Sequence, residues 1–143
     1  IQLSHSLHPK VGYFFGLAIK EKDRLKKFLY LFLVIEIHTH QTFKELDYPS
    51  ALTKLHVLPE RIAESAAAFY IDRQKEAKNL AQRFMWCSIL RWGDVGDSDV
   101  ENFKAVKRIR DRIYHGEEVP EKSLPIHQAQ SLALKLIRCN SNA

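Results

Sequence analysis

Arg110 and His115 are separated by four residues in the run Lys107-Arg108-Ile109-Arg110-Asp111-Arg112-Ile113-Tyr114-His115-Gly116. Their types are those that metal-free cleavage of a phosphodiester needs. Such a reaction requires a group that moves protons onto and off oxygen, positive charge for the phosphate, and something to orient the first group. A histidine serves as general acid or base because its ordinary pKa, about 6.5, lies near working pH. An arginine meets phosphoryl oxygens with two parallel hydrogen bonds, which a lysine does less well. Asp111 precedes His115 by four residues, so in a helix its carboxylate shares that face and is placed to hold the imidazole in one tautomer.

The spacing poses a geometric problem. At about 100° per residue, Phe103, Val106, Ile109 and Ile113 form an apolar stripe with Arg110 at its edge, and His115 points roughly 140° away from Arg110. One regular helix does not aim both at one phosphate. Either the helix unwinds at Tyr114-His115-Gly116, or the same motif of a second chain completes the pair. Arg108, seven residues before His115, shares its face and competes with Arg110 for the clamp. Lys104 and Arg112 fall on the same broad basic side and are candidate phosphate contacts beside Arg108.

The arginine and histidine, the carboxylate that follows Arg110 and the glycine stop together resemble the R-x4-6-H signature of HEPN domains, small all-helical modules of which many are metal-independent endoribonucleases. The resemblance implies a homodimer whose two motif helices meet at the active cleft, which answers the geometric problem. It also selects Arg110 over Arg108, because the family favours a polar residue directly after the arginine. It implies RNA as partner, no cofactor, and a role in bacterial toxin, antiphage or stress systems with an antitoxin or a fused sensor domain. The expected catalytic set is Arg110, Asp111 and His115 with Glu36 as accessory, and the expected RNA contacts are Arg108, Lys104 and Arg112. Two readings compete. One is a non-catalytic HEPN-like module that binds RNA or a nucleotidyltransferase-type partner. The other is a helical scaffold whose Phe14, Phe15, Trp86 and Trp92 serve a protein interface, its basic helix face being solvated and its terminal histidine favoured by the helix dipole.

The elements that must position these residues read as helices throughout. Five Gly and five Pro in 143 residues, with apolar spacing of helical period, point to an all-α fold. We expect an up-and-down helical bundle of four main helices and a short extra one, in a single domain over residues 1–143. Residues 1–16, with His5, His8, Pro9, Gly12 and Gly16, read as an irregular arm. The first long helix runs from residue 17 to about 46, with Leu25, Phe28, Leu29, Phe32, Ile35 and Phe43 at three- and four-residue steps. It is apolar nearly all round, so it is the element the others pack against. Glu36 inside that run must be paired, neutralised or turned to a polar site.

Pro49 breaks this helix, and Ser50 is expected to cap a short helix through about His56. A second long helix is expected from Pro59 to Arg91, extending or kinking at its charged middle, residues 72–78. Ser98 and Glu101 form a capping-box pattern that opens the third, which stops at Gly116. The last runs from about Ser123 or Pro125 to Arg138.

Composition excludes several classes. Apolar content of 45% and charged content of 27% are those of an ordered globular chain. A net charge of +5 favours an anionic partner. Cys87 and Cys139 have no zinc-ligand spacing and read as free thiols in a reducing, cytoplasmic compartment. His38 and His40, two apart, point to different helix faces and do not chelate one metal together. No phosphate-cradling glycine motif is present. The most apolar run, residues 28–37, is shorter than the roughly 20 residues that span a bilayer, and residues 1–10 lack a secretory signal. The chain does not begin with Met, which fits the C-terminal part of a longer protein.

Overall fold

The computed structural model describes residues 8–54 and 58–141, and the described residues are all-α, with seven α-helices, two short 3-10 turns and no strand. We number the helices α1 (Pro9–Lys20), α2 (Arg24–Glu45), α3 (Tyr48–Lys54), α4 (Ala63–Lys75), α5 (Leu80–Leu90), α6 (Asp97–Tyr114) and α7 (Ile126–Ser141). The organising element is α2. It packs against α1, α5, α6 and α7, while α6 and α7 pack on each other and α3 links α4 to α5. Phe28, Leu31, Phe32, Val34 and Ile35 of α2 are buried, as the nearly continuous apolar run requires of a central helix.

Several boundaries differ from those expected, each for a local reason. The expected arm over residues 1–16 is helical from Pro9, and residues 1–7 lie outside the described residues. Pro9 sits in the first turn, where its missing N–H costs nothing, and His8 caps it by accepting from Lys10 N at 3.1 Å. The expected helix over residues 17–46 is therefore two helices, because Asp23 starts a new one by accepting from Lys26 N at 2.9 Å. Asp47, not Ser50, begins α3: its carbonyl accepts from Ala51 N at 2.9 Å and its carboxylate receives Ser50 N at 3.4 Å. The expected end near His56 lies outside the described residues.

The expected helix over residues 59–91 is also two. Asn79 accepts from Gln82 N at 2.8 Å and starts α5 afresh after the charged stretch. The helix expected to open at Ser98 and Glu101 begins at Asp97 instead. There Asp99 Oδ2 accepts from Gly96 N at 2.9 Å, and Glu101 is left to pair with Lys104 at 3.5 Å. A carboxylate at the third helical position reaches the cap nitrogen, which one at the fifth does not.

The core is a single contiguous cluster drawn from every helix except α4. At its centre Phe84 stacks on Phe103 with ring centroids 3.9 Å apart and leans on Trp92 at 5.5 Å. His38 is 1% exposed, lies parallel to Trp92 at 5.9 Å, and places Nε2 3.2 Å from Leu136 O, so this nitrogen carries the proton and donates. Burial lowers its pKa, because the charged imidazolium would be stripped of water there. Cys87 donates to Thr39 O at 3.6 Å, and burial pushes its thiol up to about 12, so it is no nucleophile. The aromatic set named for a protein interface does not form a free surface: Trp92 is wholly buried, and Phe14, Phe15 and Trp86 pack against the core.

Candidate functional site

Asp99, Phe103, Val106, Arg110 and Ile113 recur along α6 at four- and three-residue steps and form its core-facing seam. Arg110 therefore stands on the seam rather than at the stripe's edge, in the position an apolar residue would fill. Its side chain is 13% exposed. The guanidinium carbon lies over two aromatic rings, 4.4 Å from the Phe32 centroid and 4.6 Å from that of Tyr114. These cation–π contacts satisfy its faces and leave its edge for hydrogen bonding. Along that edge Nη2 is 3.8 Å from Glu36 Oε2 and Nε is 3.3 Å from Asp111 Oδ1. The Asp111 contact is an ion-pair distance but not a hydrogen bond, so buried Nε donates to no acceptor among the described residues.

Glu36 is thus paired, though loosely, and half-exposed. One turn further along α2, His40 accepts a hydrogen bond at Nδ1 from Arg83 Nη1 at 3.1 Å. Arg83 in turn lies 4.6 Å from the Phe43 ring and donates Nε to Ala77 O at 3.0 Å. Burial and the adjacent Arg83 charge lower the His40 pKa, while Glu36 opposes them. A polar row on α2, Glu36 and His40, is consequently flanked by one arginine from α6 and one from α5. Arg83 was not among the residues singled out from the sequence, and His40 was weighed there only as a metal ligand. The available signal was the four-residue step from Glu36 to His40, which puts both on one helix face.

Asp111 turns toward the cations that precede it. Its Oδ2 takes a 2.7 Å bond from Lys107 Nζ, and no contact joins it to the His115 imidazole among the described residues. Lys107 competes successfully for the carboxylate because it is also four residues away and carries a full opposite charge. His115 is exposed and caps the helix just past Tyr114, its N–H donating to Asp111 O at 3.0 Å. Gly116 has φ +82°, and the bonds Gly116 N to Ile113 O and Glu117 N to Arg112 O, both 3.0 Å, complete a glycine-terminated helix end. A residue with a Cβ is strained at that φ, which is why the stop falls at this glycine.

The helix therefore does not unwind before His115, and within one chain Arg110 and His115 stay on different sides of α6. Arg110 faces α2, whereas His115 shares the outer side with Lys104, Arg108 and Arg112. Lys104 pairs with Glu101, and Arg112 Nε donates to Glu117 at 2.6 Å. Arg108 is exposed with no ion pair among the described residues. No three His, Cys, Asp or Glu side chains converge among the described residues, and none of the described helices is long and apolar enough to cross a membrane.

Chemically, the chain brings together a guanidinium with fixed faces, a carboxylate beside it, a half-buried neutral imidazole and, on the outer side, an accessible imidazole with a row of cations. Compared with family models, with curated proteins and with solved structures, the chain finds no match.

Proposed function

We propose that this chain is a metal-independent endoribonuclease of HEPN type that works as a homodimer. The observation that carries the reading is Arg110: a cation held on the core-facing seam of α6, in contact with Phe32 and Tyr114 beside Glu36, with a buried N–H that finds no hydrogen-bond acceptor among the described residues. A fixed, incompletely bonded guanidinium is a costly arrangement for stability alone and a favourable one for an anion.

Without a metal, the nucleophile within reach of an RNA phosphodiester is its own 2′-hydroxyl. Attack forms an O2′–P bond and breaks the P–O5′ bond, leaving a 2′,3′-cyclic phosphate and a 5′-hydroxyl. One proton leaves O2′ and one reaches O5′. A two-fold cleft supplies His115 twice, one copy to accept the first proton and the other to donate the second. Arg110 stabilises the charge on the non-bridging oxygens, Glu36 and Asp111 hold Arg110 in place, and Arg108, Lys104 and Arg112 contact neighbouring phosphates. A toxin, antiphage or stress role, with an antitoxin or fused sensor as partner, follows from the family resemblance.

A second reading, a non-catalytic HEPN-like module that binds RNA or protein, is favoured by one observation: within a single chain Arg110 and His115 lie on different sides of α6. Incubating a mixed RNA with excess EDTA decides between them, comparing wild type with His115→Ala and Arg110→Ala after each is checked for fold and dimerisation. The nuclease reading expects cyclic-phosphate products from wild type alone. Intact RNA with a folded wild-type dimer, or cutting that survives His115→Ala, leaves the binding module as the account.

A further inference from the structure

Tyr114 is the most exposed large aromatic residue among those described, at 67%, yet its ring is not loose on the surface. Its inner face covers the Arg110 guanidinium at 4.6 Å, and that guanidinium rests on Phe32 at 4.4 Å. Phe32, Arg110 and Tyr114 thus form three tiers from the buried α2 side outward, and the top one, Tyr114, is open to solvent on its outer face. We propose that this outer face is a stacking platform for one nucleobase, next to the phosphate that Arg110 holds.

Charge complementarity selects the occupant. Any base has a π-face that stacks on an aromatic ring, and it carries the anionic phosphate that the Arg110 cation beneath this ring attracts. A second cation stands on the same side of α6 as the ring: Lys107, seven residues before Tyr114 and bonded to Asp111. A base brings its own phosphate to that side, whereas an apolar protein segment brings no charge to meet it. The ring is also restrained by the tier below, so stacking sacrifices little side-chain freedom. A base engaged in this way must be unpaired, because a base in a duplex has both faces covered. The platform rests on the RNA reading given above and adds a binding subsite to it.

The test is fluorescence anisotropy with a short, labelled 2′-O-methyl RNA strand, which lacks the hydroxyl nucleophile and stays intact, set beside the same strand made abasic. Wild type, Tyr114→Phe and Tyr114→Leu are compared at one salt concentration, after circular dichroism has confirmed the fold. The platform predicts that Tyr114→Phe binds the base-bearing strand within about twofold of wild type and that Tyr114→Leu binds it about 5- to 150-fold more weakly. The abasic strand should bind all three alike. Equal binding of the base-bearing strand by wild type and Tyr114→Leu overturns the platform while leaving the RNA reading in place. Equal losses on both strands overturn it as well, since the ring would then act only by holding Arg110. If wild type binds neither strand, the RNA reading falls and the platform with it.

Discussion

Replacing Arg110 by methionine separates what this residue does for the fold from what it does for function. Methionine retains an unbranched stem of similar reach for the space between Phe32 and Tyr114 and removes the charge. Four contributions then change, one of them the 3.3 Å ion pair with partly exposed Asp111, worth about 1 kcal/mol or less. The Glu36 pair, at 3.8 Å and partly solvated, is worth about 1 kcal/mol or less. The two cation–π contacts contribute about 0.5–1 kcal/mol each, part of which the methionine thioether recovers against the same rings. Against these stands the buried Nε–H without an acceptor, whose removal returns about 1–3 kcal/mol. The contributions nearly cancel, so Arg110→Met should lie within about 1.5 kcal/mol of wild type, or about 5 °C in Tm. Urea denaturation measures that, and cleavage of mixed RNA in EDTA measures the other half, where a loss of at least about a hundredfold is expected for a phosphate clamp. Arg110→Lys should recover little activity, because an ammonium lacks the planar fork. A stability loss above about 3 kcal/mol would make Arg110 a brace of the fold. Wild-type cleavage by the methionine variant would remove it from the reaction altogether.

Other expectations follow from the same geometry. His38 is held neutral, its folded pKa below that of the unfolded chain, so its contribution is full above about pH 6.5 and is lost as pH falls below it. Urea midpoints at pH 7.5 and 5.5 should show this decline, and His38→Gln, which keeps an N–H for Leu136 O, should flatten it. A slope that His38→Gln leaves unchanged counts against the assignment. Asp99 bonds both Gly96 N and Lys135 Nζ, so Asp99→Ala should lower stability by about 1–3 kcal/mol in the same assay; a change below 0.5 kcal/mol, on the order of experimental scatter, would show the cap to be idle. Truncating Phe84, which touches Phe103 and Trp92, should remove about 3–5 kcal/mol. Arg108→Ala should reduce the salt slope of RNA binding by about one, uniformly across sequences; an unaltered slope would take Arg108 out of the interface.

Much of the fold was legible because α2 carries its signal in plain form: an apolar run of helical period around residues 28–37 must be buried on most sides, and it is. Helix boundaries were less legible where two caps competed. Ser98 with Glu101 and Asp99 with Gly96 are both acceptable patterns, and the choice was made by Lys135 of α7, a tertiary partner 36 residues away that holds Asp99 in place. The arm over residues 9–16 was misread because two glycines outweighed Pro9, whereas packing on α2 outweighs the glycines. At the site, Glu36 stood out as a carboxylate in an apolar run, and its neighbour proved to be Arg110. The placement of Arg110 within the seam was hidden, since an arginine reads as polar wherever its stem and guanidinium faces happen to be buried. Asp111 had two candidates at equal helical spacing, Lys107 before it and His115 after it, and local sequence does not rank them.

Phe32 and Glu36 belong to the helix that four others enclose, while Tyr114 closes the final turn of α6, which ends at a glycine and is tied down by the Arg112–Glu117 pair and the Tyr114 contact with Arg110. The two elements that hold Arg110 therefore differ in compliance. The α2 side yields only when the whole molecule opens, and its amides should exchange at the global rate; the α6 side opens with the local fraying of one turn. A ligand that engaged Arg110 and Tyr114 would therefore be fitted by movement of the α6 turn against a fixed α2.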